Sequence, residues 1–309
     1  MGIVVIGATF VDIKGFPNDT YIPDGRNAGR VEYIHGGVAR NVVEDIANLE
    51  LRPTFLGIVD DTPLGTAVLQ KLKRHKVNTE YMLTREDGMG TWLAVFDSSG
   101  NVAGSISKRP DLMPLLEVLE EKGDEIFANA DSVVLEVDLD KAIVKKVFEL
   151  AEKYDKRTYA VVSNMSIAIE RRDFFQKIDC FICNIQEAGM LFLDDFGEKS
   201  PEELENILAE KINRAKIPAM VITMGAQGAV YADLEGNKGF CPAKKVQVKD
   251  TTGAGDAFFS GVAAGLTYGK TLPEAIEIGS TLAASVIVSS ENVCPRFQPE
   301  ELGLNYRVS

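Results

Sequence analysis

Histidine and cysteine are scarce in this sequence, and their scarcity excludes several kinds of site. Among 309 residues there are two histidines, His35 and His75. They leave little room for a histidine-based metal site or a Ser-His-Asp triad. Four cysteines are too few for a disulfide scaffold in a chain of this length. Cys180 and Cys183 have C-x-x-C spacing, but the apolar run around them indicates a buried strand rather than a redox turn.

The sequence also lacks an excess of basic charge and any long hydrophobic run. Its 33 basic and 46 acidic residues give a formal net charge of −13 at pH 7. This charge argues against nucleic acid or an anionic membrane as a partner, although a small anionic ligand needs only a local field. The longest uncharged runs near the C-terminus, 257–269 and 278–290, are shorter than the about 20 residues that cross a bilayer. The first residues lack the basic region of a signal peptide, so we expect a reduced, cytoplasmic compartment.

Short β-branched runs alternate with helical patterns along most of the chain. Apolar residues make up 45% of the sequence and charged residues 26%, as is ordinary for a globular protein. The alternation predicts a single α/β domain over 1–309, with a mostly parallel central sheet and helices on both faces. Strands are predicted at 3–6, 54–59, 132–137, 158–162, 180–183 and 219–223, and helices at 38–49, 62–75, 140–153, 254–267 and 272–288.

Two regions break this alternation. Residues 30–35 alternate between apolar and polar side chains like a half-exposed strand, and 91–96 and 102–106 flank a turn as in a β-hairpin. Strands of this type do not belong in the interior of a parallel sheet. We therefore expect about 14–35 and 90–107 to leave the main body as a small β-sheet lid.

The most informative segment begins as a predicted strand at 246–249 and runs through Asp-Thr-Thr-Gly-Ala-Gly-Asp into the helix at 254–267. The first turn of a helix leaves backbone N–H groups without partners and carries the positive end of the helix dipole. Gly253 and Gly255 would let a charged ligand approach that backbone, which predicts an anion hole in an otherwise acidic protein. A helix capped by one of the two threonines is the alternative interpretation.

Asp256 lies at the same predicted helix start. The dipole and the backbone amides favour its charged form, so we expect the carboxylate to stay ionised. An ionised carboxylate can accept a proton from a substrate hydroxyl, and an adjacent anion hole can stabilise phosphate oxygens. The arrangement suits phosphoryl transfer to an alcohol, and the alternative is an ordinary acid in a first helical turn.

Two signatures resemble those of a known enzyme family. The segment Asp-Thr-Thr-Gly-Ala-Gly-Asp-Ala-Phe at 250–258 resembles the C-terminal signature of the ribokinase, or PfkB, family of carbohydrate kinases. Gly-Gly-Val-Ala-Arg-Asn-Val-Val at 36–43 resembles the N-terminal signature of that family. Further family elements, in family order, are Gly-Ala-Thr-Phe-Val-Asp at 7–12, Gly-Ile-Val-Asp-Asp-Thr-Pro-Leu-Gly at 57–65, Asn-Ile-Gln-Glu at 184–187 and Thr-Met-Gly-Ala-Gln-Gly at 223–228.

The resemblance implies a ribokinase-like enzyme that uses ATP and Mg²⁺ to phosphorylate a small sugar or nucleoside. Asp256 would be the base for the accepting hydroxyl. The anion hole would be formed by the backbone amides of Gly253, Ala254 and Gly255. Acceptor contacts would come from Asp12, Gly36, Gly37 and Asn41. The lid would cover the acceptor and take part in a homodimer, and some relatives use K⁺ beside the anion hole.

The resemblance also implies a nucleotide side. Asn184 and Glu187 would hold Mg²⁺ through water around the ATP phosphates, and oxygen ligands of this type suit Mg²⁺. Nucleotide contacts would come from Thr223, Gly225 and Gly228. The structural alternatives are a surface acid for Glu187 and a plain hairpin for the two glycines. On the acceptor side, the structural alternatives are a turn residue at the end of a strand for Asp12 and a solvated residue in a first helical turn for Asn41.

Two departures from the family pattern bear on the acceptor. Arg40 directly precedes Asn41, where many sugar kinases have a small residue, and this signature most resembles the pseudouridine kinase branch. The Arg40 guanidinium would meet a base edge or a phosphate oxygen with paired donors; a residue on the helix surface is the alternative. The strand at 158–162 is followed by Ser-Asn rather than the family's Asp-Pro pattern, which leaves Asn164 as a candidate sugar contact.

These observations predict an ATP-dependent kinase acting on a primary hydroxyl of a sugar or nucleoside. Pseudouridine is the leading acceptor, and ribose, fructose or keto-deoxygluconate are the alternatives. A non-catalytic sugar or nucleoside sensor on the same fold and a structural α/β protein are alternatives of another class. The intact Asp256 and Gly-Ala-Gly turn argue against a sensor, because a pure binder needs no base there.

Overall fold

Strands and helices alternate along the chain in the computed structural model, which describes residues 2–305. The strands are β1 (Ile3–Ile6), β2 (Phe10–Pro17), β3 (Gly29–Gly36), β4 (Thr54–Leu56), β5 (Ile58–Val59), β6 (Leu83–Thr84), β7 (Gly90–Phe96), β8 (Val102–Lys108), β9 (Ser132–Glu136), β10 (Thr158–Val161), β11 (Cys180–Asn184), β12 (Ala219–Thr223), β13 (Gly228–Asp233) and β14 (Lys238–Pro242). The helices are α1 (Val38–Asn48), α2 (Pro63–Arg74), α3 (Pro114–Ala128), α4 (Lys141–Lys153), α5 (Met165–Ala168), α6 (Ile185–Phe192), α7 (Pro201–Ala215), α8 (Ala254–Thr267) and α9 (Leu272–Ile287). Short 3₁₀ turns occur at Ile169–Lys177, Gly225–Gln227 and Pro299–Leu302.

Within residues 2–305, the main sheet has eight strands in the order β14-β13-β12-β11-β10-β9-β1-β4. The strands from β12 through to β4 pair in parallel, whereas β13 and β14 form an antiparallel edge. All four residues of β1 are fully buried. A continuous apolar run of this kind is typical of a parallel strand that is covered on both faces.

Two clusters of buried apolar side chains cover the two faces of the main sheet. Val4 and Ile6 point into the cluster formed with α3 to α7, whereas Ile3 and Val5 point into the cluster formed with α1, α2, α8 and α9. This alternation follows from the two-residue period of a strand. The predicted mostly parallel sheet with helices on both faces is confirmed.

The strands that break the alternation form a separate sheet in the order β3-β2-β7-β8, which we call the small sheet. β7 and β8 are the expected hairpin, and the Asp97 amide donates to the Asn101 carbonyl at 2.8 Å in its turn. β2 pairs antiparallel with β3 and parallel with β7. The sheet begins at Phe10, a few residues before the predicted segment, and its role as a lid stays a prediction.

Two sequence predictions of strands are wrong. The strand expected at 54–59 divides at Gly57, because the Gly57 carbonyl accepts the Leu83 amide at 3.0 Å and β5 pairs with β6 outside the main sheet. The strand expected at 246–249 is absent, and that segment is exposed coil. There the amides of Lys249 and Asp250 both donate to the carbonyl of Ile287, at the end of α9, instead of entering a ladder.

Among residues 2–305, no helix has the length and apolar character needed to cross a membrane.

Candidate active site

The two signature segments meet through one hydrogen bond. The Asn41 side-chain amide, in the first turn of α1, donates to Asp256 Oδ2, in the first turn of α8, at 2.6 Å. The two residues are 215 positions apart in sequence. The fold therefore joins the residues that the N-terminal and C-terminal signatures supply.

Asp12 of β2 joins the same site from the small sheet. A Cβ added to Gly36 would lie 2.6 Å from Asp12 Oδ1, so only glycine leaves room for this carboxylate. Asp12 also contributes to the field that raises the pKa of Asp256. Gly37 precedes α1 with a φ of +97°, and a Cβ there would lie 2.9 Å from the Ala8 carbonyl. Of the predicted acceptor residues, Asn41 thus contacts Asp256 and Asp12 lies close enough to affect its pKa, with Gly36 packed against Asp12 and Gly37 at the start of α1.

Arg40 differs from both interpretations of the sequence. Its side chain is fully buried rather than solvated on a helix surface, and Nη1 pairs with Glu44 at 2.5 Å. Nε donates to the Gly36 carbonyl at 3.3 Å, and Nη2 donates to the His35 carbonyl and to Asn41 Oδ1. These protein acceptors hold the guanidinium that was expected to meet a base edge or phosphate. Because Arg40 engages the Asn41 oxygen, it orients the Asn41 amide toward Asp256.

Asn292 is a site residue that no sequence motif indicated. Its side-chain amide donates to Asn41 Oδ1 at 3.2 Å and to the His35 carbonyl at 2.9 Å. Its backbone carbonyl would lie 2.0 Å from a Cβ on Gly253. Asn292 therefore fixes both the Asn41 amide and the start of α8. It follows α9 in a Ser-Ser-Glu-Asn segment that resembles any polar loop.

Two acids at the end of β9, Glu136 and Asp138, were also not predicted from the sequence. Glu136 Oε1 accepts the Ala39 amide at 2.8 Å and Oε2 accepts the Ala8 amide at 3.2 Å. Burial, together with the nearby Asp138 carboxylate, raises the pKa of Glu136 to about 8. Asp138 pairs with Arg109 at 2.9 Å. The only sequence signal for these two acids was their position at the end of a buried apolar strand.

The turn before α8 provides open backbone beside Asp256. Gly253 is the residue before the helix and has a φ of +80°, and no side chain caps this end. A Cβ added to Gly255 would meet nothing within 4 Å. The Ala254 amide, expected in the anion hole, instead donates to the Thr251 carbonyl at 3.2 Å. Open space at Gly255 is what a ligand phosphate needs to reach this turn.

The alternative of a threonine-capped helix is wrong. The Thr252 amide donates to Asp250 Oδ1 at 2.8 Å, so the loop is closed by an aspartate before the helix begins. Neither Thr251 nor Thr252 supplies a side-chain cap to α8. The first-turn amides are thus not covered by a threonine hydroxyl.

Asp256 is less acidic than the sequence predicted. Burial is the main cause that raises its pKa, to about 6, and the charges of Glu187 and Asp12 act in the same direction. The Asn41 hydrogen bond and the Arg40 charge oppose this rise. Desolvation and the neighbouring acids thus outweigh the effect of a helix start, which favours the charged carboxylate. A pKa near 6 still leaves most of the carboxylate ionised at pH 7.

Asn184 and Glu187 form a reciprocal cap at the start of α6. Asn184 Oδ1 accepts the Glu187 amide at 2.9 Å, and Glu187 Oε2 accepts the Asn184 amide at 2.8 Å. Burial raises the pKa of Glu187, and the Asp138 charge adds to the rise. Glu187 is thus a partly buried acid close to Asp256 rather than the surface acid of the structural alternative.

The donor chemistry near Glu187 fits Mg²⁺ bound through water. The second oxygen, Oε1, has no hydrogen-bond partner within residues 2–305, and the Asp138 carboxylate is close enough to shift its pKa. Hard oxygen ligands with retained water are what Mg²⁺ prefers. The described part of the chain contains no cluster of three or more His, Cys, Asp or Glu side chains set to hold a metal directly.

The remaining residues that are predicted to contact the nucleotide lie at the end of β12 and in the following turn. Thr223 Oγ1 is 3.5 Å from the Cys183 carbonyl. Gly228 has a φ of +127° and pairs closely with β14, whereas a Cβ on Gly225 would enter open space. Gly228 therefore serves the hairpin, and its amide donates to the Gly225 carbonyl, while the space beside the Gly225 Cα stays open. Asn164 caps α5 by accepting the Ser166 amide at 3.1 Å, and the described contacts do not join it to Asp12, Asn41 or Asp256.

The C-x-x-C pair is structural, as expected. Cys180 and Cys183 are buried free thiols on β11. Burial raises the pKa of Cys180 to about 12, so this thiol stays protonated at neutral pH. A protonated, buried thiol is a poor nucleophile and a poor metal ligand.

Comparison with known proteins identifies the family. The sequence matches the pfkB family of carbohydrate kinases over residues 2–296, and the chain belongs to this family. It is 35% identical over 292 residues to a guanosine-inosine kinase of Exiguobacterium acetylicum, which covers 94% of this chain and 95% of that protein. It is 22% identical to a pseudouridine kinase of Escherichia coli (strain K12), over 89% of this chain and 86% of that one.

The fold is shared with solved structures as well. A ribokinase of Arabidopsis thaliana, complexed with ribose and ATP, superposes with a TM-score of 0.82 at 18% identity, covering 99% of both chains. The ribokinase-like fold and the kinase family expected from the two signatures are therefore confirmed.

Proposed function

We propose that this chain transfers the γ-phosphoryl group of ATP to a primary hydroxyl of a ribonucleoside, with Asp256 as the base. The observation that carries the proposal is the 2.6 Å hydrogen bond from Asn41 to Asp256. It brings Asn41, the proposed acceptor contact, and Asp256, the proposed base, together beside the glycine turn at the start of α8. Such a combination is suited to phosphoryl transfer, where positioning and charge stabilisation supply most of the catalysis.

The proposed step moves one proton and exchanges one P–O bond. The hydroxyl oxygen of the acceptor bonds to the γ-phosphorus as its proton passes to the Asp256 carboxylate. The bond between the γ-phosphorus and the bridging oxygen breaks, and ADP leaves with the electron pair. The backbone at Gly253 and Gly255 would face the transferring oxygens through the open space at Gly255, and the positive end of the α8 dipole would stabilise their charge.

The proposed nucleotide side is formed where the neighbouring parallel strands β11 and β12 end. Thr223 and Gly225 would contact the nucleotide, with Gly228 shaping their turn. Asn184 and Glu187 would hold Mg²⁺ through water, where the ion neutralises phosphate charge when bound. The cap between these two residues would fix the Glu187 carboxylate in place. A K⁺ requirement is carried over from the resemblance alone and is tested in the same assay.

Guanosine and inosine are now the leading acceptors. The guanosine-inosine kinase is 35% identical to this chain, against 22% for the pseudouridine kinase. The case for pseudouridine rested on Arg40, and the Arg40 donors are engaged by protein acceptors. Pseudouridine therefore becomes the second acceptor to test, followed by ribose, fructose and keto-deoxygluconate.

We also propose that the small sheet acts as a lid over the acceptor and that the protein works in the cytoplasm. Closure of the lid would exclude water, so that the acceptor rather than water takes the phosphoryl group. The lid sheet would also carry a homodimer contact through its outer face.

The test is ADP release from Mg-ATP, with and without K⁺, across these acceptors. We expect guanosine and inosine to give the highest kcat/KM. Turnover with a simple sugar and none with any nucleoside would refute the acceptor while leaving the kinase in place. Binding of ATP and an acceptor without ADP release would support a sensor instead.

A further inference from the structure

The inner face of the small sheet carries an aromatic side chain next to the acceptor residue Asp12. Asp12 on β2 pairs directly with Trp92 on β7, and their side chains share one face. Trp92 is partly exposed and is the only tryptophan in the sequence. Its ring packs perpendicular to Phe96, with centroids 6.5 Å apart. An indole packed against Phe96 therefore lies one strand away from the carboxylate expected to hold an acceptor hydroxyl.

Lys14 shares this face and has no anionic partner at contact distance among the described residues. It follows Asp12 by two residues on β2 and is 8% exposed. Its ammonium lies 6.0 Å from the centroid of the Trp92 ring. No ion pair or hydrogen bond of Lys14 occurs within residues 2–305, although Asp12 and Asp250 both feel its charge. A buried lysine is normally paired, so this one has donors to spare for a ligand.

Space for a ligand exists beside Lys14. The ammonium-bearing side chain lines a cavity of about 350 Å³ together with Ile34, which pairs with Asp12 from β3. The cavity extends to Thr252 and Asn292, which adjoin the start of α8. Asn292 in turn contacts Asn41, the partner of Asp256. The cavity therefore reaches from Lys14 to the loops that adjoin Asn41 and the start of α8.

We propose that Trp92 and Lys14 form the base-recognition site for the acceptor, which is a 6-oxopurine nucleoside; this rests on the proposed nucleoside kinase activity. The Trp92 indole stacks on the purine, as aromatic side chains do on nucleobases. The Lys14 ammonium donates to O6 and N7, the acceptor pair that guanine and hypoxanthine share. Adenine carries an amino donor in place of O6, so Lys14 selects against adenosine.

The single tryptophan reports base binding without any need for turnover. We expect guanosine and inosine to quench Trp92 emission saturably in the wild-type protein, because stacking places the base against the fluorophore. Ribose occupies only the sugar contacts and should leave the emission unchanged. Equal quenching by ribose, or no response to either purine nucleoside at millimolar concentration, would overturn the proposal.

Lys14→Met tests the charge while keeping the length of the side chain. We expect its kcat/KM for guanosine and inosine to fall about 10- to 100-fold, with a much smaller change for adenosine. The loss should appear mainly in KM, because the base contacts are remote from the transferring phosphoryl group. Lys122→Met makes the same change at an exposed lysine paired with Glu125 at 3.6 Å, and should behave as wild type.

Trp92→Phe keeps an aromatic ring and protects the test against misfolding. We expect it to raise KM for guanosine less than Trp92→Ala does, with unchanged KM for ATP. Purine selectivity that survives Lys14→Met, or identical losses for guanosine and adenosine, would overturn the role of Lys14. If the wild type phosphorylates only a simple sugar, the nucleoside kinase proposal fails; purine-specific quenching in that same protein would still support the base site.

Discussion

Asp256 shows how a single carboxyl group can be tuned by groups that the sequence places far away. Burial raises its pKa, while the Asn41 hydrogen bond and the Arg40 charge hold the rise to about 6. A base with a pKa close to the working pH is both largely ionised and still able to hold a proton. The buried Arg40 and Asn292 both donate to Asn41, and Arg40 also acts on Asp256 through its charge.

The pH dependence of kcat/KM tests this tuning. Asp256 must be ionised to accept a proton, so activity should fall as the pH drops, with a midpoint near the pKa of about 6. Asn41→Ala removes a hydrogen bond that favours the charged form, so the pKa should rise and the midpoint should move to higher pH. The measurement is a pH–rate profile of both proteins.

Asn206→Ala provides the control for that profile. Asn206 is an exposed residue on α7, and its replacement should leave the acidic midpoint in place. An Asn41→Ala midpoint equal to that of the wild type, or shifted to lower pH, would contradict the proposed coupling.

At the scale of the elements, the site depends on how α1, α8 and the loop around Asn292 meet. Gly253 turns the chain into α8 with a φ of +80°, directly against the Asn292 carbonyl. Gly255, two residues later, faces open space. Backbone packing therefore requires glycine at position 253, whereas position 255 leaves open space that we propose a ligand phosphate uses.

A matched pair of alanine variants separates these reasons. Gly253→Ala would place a Cβ 2.0 Å from the Asn292 carbonyl, so we expect destabilisation of about 1–3 kcal/mol and loss of activity. Gly255→Ala has room and an ordinary helical position, so its unfolding midpoint should stay near that of the wild type. Its methyl group would instead crowd the phosphate, lowering kcat/KM by about 10-fold or more.

Thermal unfolding and ADP-release kinetics of both variants provide the comparison. Equal unfolding midpoints for the two variants would contradict the packing role of Gly253. Wild-type kinetics for Gly255→Ala would contradict an anion hole at that turn.

The sequence predicts these elements unequally, and the reason is physical. The sequence predicts the Gly-Ala-Gly turn, Asp256 and Asn41, because the local backbone conformation and a known site chemistry determine which residue types occur there. Asn292 and Glu136 are invisible because their roles depend on contacts across more than a hundred residues. The strand expected at 246–249 failed for the same reason: its alternating side chains found no partner strand, and Ile287 took the backbone donors instead.

At the scale of the whole molecule, the main sheet forms the core, whereas we propose that the small sheet binds the acceptor. The main sheet is covered on both faces by apolar clusters. The small sheet presents Asp12 and Trp92 on one face and an apolar row on the other. That row runs across all four strands through the paired residues Tyr33, Ile13, Leu93 and Ile106. Tyr33 is 60% exposed and Ile106 is 70% exposed.

Sedimentation velocity tests whether this outer face joins two copies of the chain. An exposed apolar row on a sheet is a common protein contact, so we expect a dimer that Ile106→Glu converts to a monomer. Leu234→Glu, at an apolar residue 42% exposed outside the small sheet, should remain dimeric. A monomeric wild type, or an Ile106→Glu variant that stays dimeric, would contradict the proposed interface.

The whole-molecule alternation of strands and helices was the most predictable property of the chain. Each buried strand of the main sheet is a local apolar run, so composition along the chain is sufficient to find it. The pairing of β2 with β7, across some eighty intervening residues, has no local signal of this kind. It decides which side chains share a face with Asp12, and therefore which could contact an acceptor.

Whether Asp256 is the base is tested most directly by comparing the turnover of Asp256→Asn with that of the wild type under saturating Mg-ATP and guanosine. Asparagine keeps an oxygen that can accept the Asn41 hydrogen bond but cannot take the hydroxyl proton. We expect kcat to fall by about 10²- to 10⁴-fold, with the unfolding midpoint and the affinity for ATP retained. A variant that turns over within a few-fold of the wild type would contradict the assignment of Asp256 as the base.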